Sequence, residues 1–437
     1  MSHLSTTTSA ASLSTRGRSL AHNPARADMA LFMEAAQDAY HPQNNPQGKF
    51  PLNVAENSPM IPVVQARLAA TLQRHVPPAW VFQYTQIAGH PEVRAAVAQF
   101  MTRYLCQCPI EPDTLGLSAG ASAIVELTSF LLANPGEVAA IPAPAYPMYS
   151  HDLGVKSGLA RYDLQTHVEL NEHGAEGPVT PARMDQALAD LRSQGKRLKL
   201  LLLTTPDNPT GCMYALPRLR ELAQWCMQHE VHLVVNEIYG LSVLPGQVPA
   251  DSGSFATLMR EYQSDYLHLW YALSKDFAMS GLRVGVLHSR NEALMTAFAN
   301  ANIPHMVSNL TQWVVGEMLQ DEAFLQDYLA HNQRQLAESY RVITEALDAW
   351  GVPYLPASGS LFVWADFSRY LAAPTEAAEQ DFWLDLYRQT GVLLTPGAGF
   401  QHQKHGLFRI VHTAVPTEHL AVAVARMQAF LDRKPGN

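Results

Sequence analysis

A lysine that directly follows an apolar stretch is the first feature of this sequence that could do chemistry. Lys275 comes after LHLWYAL, a short run rich in aromatic residues that predicts a buried strand. Lysine is scarce, with seven in 437 residues. An amine at the end of a strand is either a surface charge or a nucleophile held for catalysis. Arg283 follows within eight residues, so a second cation belongs to the same segment.

The elements that must position Lys275 are short apolar strands alternating with helices. From about residue 59 to 311 this alternation predicts an α/β fold, a large three-layer αβα domain with a mostly parallel seven-stranded sheet. Residues 312–437 predict a smaller α+β domain, and residues 1–58 predict an N-terminal arm and a segment of that small domain. The strand candidates are TLGLSA, EVAAIPA, ARYDL, LKLLLLTT, VHLVVNEI, YLHLWYAL and LRVGVLHS.

Open α/β sheets bind ligands at the carboxyl ends of their strands, so polar residues at those positions are candidates for a site. After TLGLS, a helix begins at small residues whose backbone N–H groups suit an anion, although a tight turn capped by Ser122 is the simpler explanation of these residues alone. The candidates at successive strand ends are Gly120, Ala121, Ser122, Tyr146, Asn208, Asn236, Tyr239, Lys275 and Arg283.

A flat phosphorylated aldehyde would use each of these residue types. Lysine supplies the amine for a Schiff base with the aldehyde. Backbone N–H groups and a guanidinium suit the phosphate, an aromatic ring can stack on the cofactor ring, and amide and phenol donors suit a phenolic oxygen. The set therefore predicts a pyridoxal 5′-phosphate site, and we expect no metal site.

Two motifs resemble those of a known protein family. SKDFAMSGLRVG resembles the Schiff-base lysine signature of the class I/II aminotransferases, which are fold-type I pyridoxal-phosphate enzymes, and NPTG resembles a second hallmark. The resemblance covers nearly the whole chain after the arm. Within the family the chain looks most similar to 1-aminocyclopropane-1-carboxylate synthases, in LNVAENSP, YTQIAGHPEVRAAVAQFM, PAPAYPMYSHDL and VLLTPGAGFQHQKHGLFRI.

The resemblance implies roles by matched position. Lys275 would bind the cofactor and carry the proton between Cα and C4′, while Tyr146 would stack on the pyridine ring. Asn208 and Tyr239 would bind the phenolic oxygen. The phosphate would be held by Arg283 and the backbone of Gly120, Ala121 and Ser122.

Three further positions concern substrate and partner. Arg409 in GLFRIVHT matches the arginine that binds the substrate α-carboxylate, the alternative being a solvated strand arginine. Glu56 matches a position that recognises the substrate amino group in the synthase branch, the alternative being a surface loop residue. Tyr84 matches a tyrosine that reaches the phosphate of the neighbouring subunit, which implies a homodimer with shared active sites.

Two positions depart from the family. Asn236 stands where relatives have the aspartate that keeps the pyridine nitrogen protonated, and Glu237 is expected to point to the opposite face. Ala272 replaces a phosphate-binding serine, and we expect Ser274 to point elsewhere. The loss of the aspartate makes ordinary fast transamination doubtful.

Three functions remain open. We expect an enzyme that acts on an α-amino acid through a covalent cofactor adduct and a Cα carbanion, either as a specialised aminotransferase or as a lyase or cyclase of the synthase type. A weakly catalytic cofactor-binding protein is the third, and Asn236 is the argument for it. The sequence does not name the amino acid.

Composition excludes several other classes. A net charge of −9 and a pI near 6.0 predict no general attraction to nucleic acid or membrane surfaces. No apolar run is long enough to span a bilayer. Four cysteines form no disulfide framework, which favours the cytoplasm. The first 27 residues contain no acidic residue, a composition shared by transit segments and by flexible or subunit-embracing arms, of which we favour the arm.

Overall fold

The structure is a computed structural model, and it describes residues 12–22, 26, 28–167, 170 and 177–434. The helices are α1 (Thr15–His22), α2 (Met29–Gln37), α3 (Ile61–Arg74), α4 (Pro91–Phe100), α5 (Ala121–Leu132), α6 (Tyr149–Gly154), α7 (Pro181–Ser193), α8 (Leu216–Gln228), α9 (Ala256–Tyr262), α10 (Leu273–Asp276), α11 (Glu292–Ala301), α12 (Asn309–Leu319), α13 (Glu322–Trp350), α14 (Glu376–Thr390) and α15 (Thr417–Leu431). The strands are β1 (Phe50–Pro51), β2 (Leu115–Ala119), β3 (Val138–Ala143), β4 (Ala160–Gln165), β5 (Leu198–Thr204), β6 (His232–Asn236), β7 (Leu267–Ala272), β8 (Val284–Ser289), β9 (Tyr354–Leu355), β10 (Phe362–Asp366), β11 (Val392–Leu393), β12 (Thr395–Pro396) and β13 (Leu407–Val411).

The central sheet has seven strands in the order β2-β8-β7-β6-β5-β3-β4. Strand β8 runs antiparallel to β2 and β7, and the other neighbouring strands pair in parallel. All seven strands fall on the runs predicted from the sequence. The predicted mostly parallel seven-stranded α/β fold is therefore confirmed.

Helices cover both faces of this sheet, which explains why its strands are apolar at nearly every position. Along β5, Leu201 and Leu203 pack in one cluster of buried side chains, whereas Leu200 and Leu202 pack in another on the opposite face. Successive strand residues point to opposite faces, so a strand covered on both sides must be apolar throughout.

A second core belongs to residues near both ends of the chain. These parts of the chain form two small sheets. One is the four-stranded antiparallel sheet β12-β13-β10-β9, and the other is the short parallel pair β1-β11. The buried cluster of this second core combines Ala35, Phe50 and Leu52 with residues between 343 and 431. The predicted boundary at residue 312 lies within α12, and the side chains pass from the first core to the second along α13, between Tyr328 and Ile343.

Helix α1 in the arm has no buried residue, so its own packing against the rest of the chain does not stabilise it. None of the described helices is long and apolar enough to cross a membrane.

Candidate active site

One edge of the seven-stranded sheet gathers the predicted residues. The six strands that share a direction end there, and β8 begins there because it is reversed, so Arg283 lies at the same edge as Lys275. A cavity of about 170 Å³ lies at this edge. The predicted residues that line it are Ala121, Ser122, Tyr146, Asn208, Asn236, Tyr239, Lys275, Arg283 and Arg409.

Lys275 lies on the short helix α10, which the next residue anchors. The buried Asp276 carboxylate accepts hydrogen bonds from the Leu241 N–H (3.0 Å), the Ser242 hydroxyl (2.6 Å) and the Tyr271 hydroxyl (3.1 Å). Because three partners hold Asp276, the backbone that carries Lys275 is fixed at the wall of the cavity.

The Lys275 amine is less basic than a lysine in water. Its Nζ donates to the Ala55 main-chain oxygen at 2.5 Å. Exclusion of water from the amine lowers its pKa to about 8, an effect that the nearby Glu56 carboxylate opposes and that Arg409 and Arg283 reinforce. A substantial fraction of the amine is therefore unprotonated, hence nucleophilic, near neutral pH.

A glycine at the start of α5 shapes an anion-binding surface. Gly120 has φ +86°, and a Cβ there would lie 2.4 Å from Arg283 Nη2. Only glycine therefore allows the guanidinium to approach the first turn of α5, whose Ala121 and Ser122 line the cavity. The free N–H groups of that turn and the helix dipole favour an anion, as does Arg283.

Ser274 corrects one expectation. It was expected to point elsewhere, yet it lines the cavity beside Lys275, and its buried Oγ has no hydrogen-bond partner among the described residues. Ser274 lies in the helical turn of α10, beyond the last residue of β7, so strand alternation does not set its direction. A hydroxyl is thus available near the start of α5 although Ala272 supplies none.

Arg409 is buried, and none of the described carboxylates forms an ion pair with it. Its Nη1 donates to Asn208 Oδ1 (2.8 Å) and its Nη2 to the Asn53 main-chain oxygen (2.6 Å), while Nε has no partner among the described residues. The guanidinium lies over the rings of Phe362 and Phe400. Burial lowers the pKa of Arg409 to about 10. A buried cation with donors to spare is an arrangement that suits a carboxylate ligand.

Asn208 and Tyr239 present donors to the same cavity. Because Asn208 Oδ1 accepts from Arg409, the amide is oriented, and its Nδ2 has no partner in the described part of the chain. Tyr239 is buried, packs edge-on against Phe362 at 5.1 Å, and has a raised pKa because of burial, so its hydroxyl stays protonated. Both groups can donate to an oxygen anion.

Asn236 belongs to a neutral hydrogen-bonded chain. Its Nδ2 donates to the Tyr149 hydroxyl at 2.9 Å, and that hydroxyl lies 2.8 Å from Thr204 Oγ1. Burial raises the pKa of Tyr149, so the phenol stays neutral. The Glu237 carboxylate is bound instead by the Ser254 hydroxyl and the Phe255 N–H. No carboxylate of residues 236–237 faces the cavity.

Three predicted residues do not line this cavity: Gly120, which lies just before α5 beside Arg283, and Glu56 and Tyr84. Glu56 lines a neighbouring cavity of about 240 Å³, which shares Val54 with the first. Tyr84 is fully exposed, in the segment that follows the short helix at residues 79–82. The Glu56 carboxylate is nevertheless close enough to Lys275 to oppose the lowering of its pKa.

Sequence reasoning did not single out several lining residues, among them Tyr149, Asp152 and Arg26. Tyr149 lies three residues after Tyr146 and three before Asp152, a spacing typical of one helix face. Burial raises the pKa of Asp152 to about 6, and its Oδ2 has no partner among the described residues. Arg26 comes from the arm, where no local pattern marked it.

The donor set fits a phosphorylated aldehyde. Lys275 supplies an amine, Arg283 and the start of α5 supply a phosphate site, and Asn208 and Tyr239 supply donors. The described residues contain no group of three His, Cys, Asp or Glu side chains placed to hold a metal ion.

Comparisons with known proteins identify the family of the chain. Residues 51–427 match the family described as Aminotransferase class I and II. The chain is 31% identical over 440 residues to 1-aminocyclopropane-1-carboxylate synthase 5 of Oryza sativa subsp. japonica, covering 97% of this chain and 81% of that protein. It is 32% identical over 364 residues to synthase 2 of the same rice, covering 81% and 74%.

A solved structure shares the fold. A double mutant of Thermus thermophilus aspartate aminotransferase superposes with a TM-score of 0.77 and 23% identity, covering 95% of this chain and 99% of that one. At this identity the likeness shows the architecture alone.

Proposed function

Because the chain belongs to the class I and II aminotransferase family and is a pyridoxal-phosphate-dependent transferase or lyase, we propose that it binds its cofactor through Lys275 and transforms an α-amino acid at Cα. The substrate carboxylate binds Arg409. The reaction is specialised relative to ordinary transamination, since Asn236 stands where the family resemblance of the sequence implies an aspartate.

One arrangement carries this proposal. The amine of Lys275, with its lowered pKa, and the buried guanidinium of Arg409, with an unused Nε, line the same cavity of about 170 Å³. One group suits an aldehyde and the other suits a carboxylate. An α-amino acid carries a carboxylate next to the carbon that reacts, so both groups are used at once.

The bound cofactor would supply an aldehyde that condenses with amines and a pyridine ring that accepts electrons from Cα. The chain supplies the rest. Arg283 and the first turn of α5 hold the phosphate, and Asn208 Nδ2 and the Tyr239 hydroxyl hold the phenolic oxygen. Lys275 Nζ accepts and returns the Cα proton, for which a pKa of about 8 is well matched.

The experiment is reduction with borohydride followed by mass spectrometry of peptides. We expect the peptide that contains Lys275 to carry the added mass of the reduced cofactor. Lys275→Ala should lose both this adduct and the cofactor's absorption band near the edge of the visible range. Lys156→Ala is the matched control, because Lys156 is an exposed amine paired with Glu126 at 2.7 Å. An adduct on another lysine, or a band that survives in Lys275→Ala, would overturn the proposal.

A second candidate reaction is elimination or cyclisation. The rice relatives carry the name 1-aminocyclopropane-1-carboxylate synthase at 31% and 32% identity, which favours a lyase. A single turnover with a panel of amino acids separates the candidates. Transamination leaves pyridoxamine phosphate and a 2-oxo acid, whereas elimination returns the aldehyde form of the cofactor.

We propose a homodimer with shared active sites. Phe82 and Tyr84 are 79% and 104% exposed, although Asn309 Nδ2 fixes their segment through bonds to the main-chain oxygens of Trp80 (3.2 Å) and Gln83 (2.6 Å). Exposed aromatic residues on a fixed segment suit burial against a second copy.

Mixing two inactive variants tests the shared site. Tyr84→Ala and Lys275→Ala should each have low activity alone, and mixed dimers should regain part of it, since one of their two sites has both residues intact. Mixed dimers without recovery would contradict a shared site.

The four free cysteines of the chain suit a reducing compartment, and we propose the cytoplasm.

A further inference from the structure

The arm contributes a hydrogen-bonded chain that ends at Arg409. Asp28, just before α2, is 7% exposed, and its Oδ2 accepts a hydrogen bond from Asn53 Nδ2 at 2.7 Å. Asn53 is fully buried, and its main-chain oxygen accepts from Arg409 Nη2 at 2.6 Å and from the Thr395 hydroxyl at 3.1 Å. A carboxylate of the arm is therefore two hydrogen bonds away from the guanidinium.

Arg26 also belongs to this series of hydrogen bonds, and its charge is neutralised by Asp28. Its Nε donates to Asp28 Oδ1 at 2.9 Å, its Nη2 pairs with Asp28 Oδ2, and Nη2 also lies 3.5 Å from the Asn53 main-chain oxygen. Because Asp28 already neutralises Arg26, this guanidinium is a poor candidate for a second substrate carboxylate. Its contribution is to hold Asp28.

Asp28 itself is anchored by the core near the chain ends. Helix α2 begins at the next residue, its Phe32 N–H donates to the Asp28 main-chain oxygen at 2.9 Å, and Ala35 is fully buried in that core. A negative side chain at the start of a helix is also favoured by the helix dipole. The packing of α2 thus sets where the carboxylate lies.

On the other side, Arg409 is held by the large sheet through Asn208 Oδ1. On the side of the arm, Arg409 Nη2 donates to the Asn53 main-chain oxygen and lies 3.5 Å from Thr395 Oγ1. The position of that Asn53 oxygen is fixed by the Thr395 hydroxyl and, through the Asn53 side chain, by Asp28. Small errors in the position of a group that binds a reacting substrate are costly.

We propose that Asp28 is a positioning residue for substrate binding: by holding the Asn53 side chain, it sets the Asn53 carbonyl that orients Arg409 toward the substrate carboxylate. This inference rests on the proposed function, because it takes Arg409 as the carboxylate-binding group. It assigns the arm a role in carboxylate recognition that is separate from any contact with a partner subunit.

The test compares two probes that react with the cofactor aldehyde of the holoenzyme. Aminooxyacetate carries a carboxylate and methoxyamine does not, so the ratio of their reaction rates, followed by loss of the cofactor absorption, measures carboxylate recognition. We expect Asp28→Ala and Asn53→Ala each to lower this ratio about tenfold. The double variant should lower it no further, because both substitutions break one chain of contacts.

Three controls separate positioning from general damage. Asp28→Asn keeps an oxygen that can accept from Asn53 Nδ2, so it should recover most of the ratio. Asp38→Ala, at the other end of α2, removes a carboxylate that binds Asn45 and Lys49. Neither residue belongs to the hydrogen-bonded series that leads to Arg409, so this variant should leave the ratio unchanged. Cofactor affinity should stay within twofold in all variants.

The outcomes are distinguishable. Effects of Asp28→Ala and Asn53→Ala that multiply in the double variant, or a ratio that stays unchanged in Asp28→Ala, would overturn the positioning role while leaving the proposed function intact. If neither probe changes the absorption of the wild-type holoenzyme, the proposed function itself fails.

Discussion

The two edges of the seven-stranded sheet bury polar groups in opposite ways. At the edge far from the cavity, His232 Nδ1 lies 3.0 Å from His268 Nε2, and His268 Nδ1 lies 2.9 Å from Ser289 Oγ. His288 Nδ1 lies 3.4 Å from the Thr114 main-chain oxygen. Burial lowers the pKa of His232 and His288 to about 4 and that of His268 well below its usual value, so all three rings are neutral near pH 7.

At the cavity edge, charges and unused donors remain. Arg409 is buried with a free Nε, Ser274 Oγ has no partner among the described residues, and Lys275, Arg283 and Arg409 bring three cations together. Burying a charge without an opposite charge costs stability unless a ligand supplies it. The comparison indicates that the far edge is built for stability, and the cavity edge for an anionic ligand.

The largest expected effect concerns the far edge and pH. A folded-state pKa near 4 against about 6.5 unfolded means that the unfolded chain binds more protons between these values, so the contribution of each such histidine falls as pH drops from 6.5 to 4. Its size is about 3 kcal/mol per histidine. Buried carboxyls with raised pKa, such as Asp276 and Glu237 at about 7, act in the opposite direction, so the whole-protein curve does not isolate the effect.

A difference between variants isolates it. His288→Gln keeps a side chain that can donate to the Thr114 oxygen but cannot titrate. The free energy of unfolding of the wild type, minus that of the variant, should fall by about 3 kcal/mol between pH 7.5 and 4, measured by urea unfolding. His75→Gln is the control, because His75 is exposed, and its gap to wild type should stay constant. A constant gap for His288→Gln would show that the ring has the same pKa in the folded and the unfolded chain.

At the cavity edge, Arg409→Met should do the reverse: little change in stability and a large change in binding. Loss of a buried charged partner of the substrate carboxylate should weaken amino-acid binding by about 10²- to 10³-fold. The free energy of unfolding should stay within about 1 kcal/mol, since removal of an uncompensated cation offsets the two donors lost. Titration of the cofactor absorption and urea unfolding measure the two quantities. A drop of several kcal/mol with unchanged binding would make Arg409 a structural residue like the far-edge histidines.

Gly120→Ala tests whether the phosphate end is shaped by close approach. A Cβ at Gly120 meets Arg283 Nη2 at 2.4 Å, whereas Gly136 has nearly the same φ, +87°, with open space around the added atom. Both alanines should cost about 1 kcal/mol of backbone strain. Only Gly120→Ala should also weaken cofactor binding, by about tenfold, because it displaces the guanidinium. Equal cofactor affinities in the two variants would contradict a phosphate site there.

The fold was predictable because each strand leaves a strong local signal. LKLLLLT and LHLWYA are apolar throughout, which a strand covered on both faces requires, and each ends at a turn residue or at a residue of the site. The change of core within α13 left no such signal, because one amphipathic helix of 29 residues serves both cores without a break.

The site was predictable only where spacing carried it. Lys275 and Arg283 share one signature, and Asn208 stands in a distinctive turn. Arg26 and Asn53 were not, since their positions depend on contacts between segments far apart in the chain, and no local pattern encodes those. We expected Ser274 to point elsewhere, but its direction is set by the helical turn of α10, which strand alternation does not describe.

The smallest expected effect concerns Asn236, which keeps this part of the cavity edge as neutral as the far edge. Asn236 Nδ2 donates to the Tyr149 hydroxyl, so a carboxylate at residue 236 would instead accept from Tyr149 and could favour a protonated pyridine nitrogen. We expect Asn236→Asp to speed the exchange of the substrate Cα proton with D₂O by about tenfold, followed by NMR. Glu237→Gln should leave the exchange unchanged, because the Glu237 carboxylate is bound by Ser254 and Phe255 on the other side. An unchanged rate in Asn236→Asp would mean that the charge beside Tyr149 does not control the acidity of Cα, and that the neutral chain of Asn236, Tyr149 and Thr204 serves packing, as the histidines do.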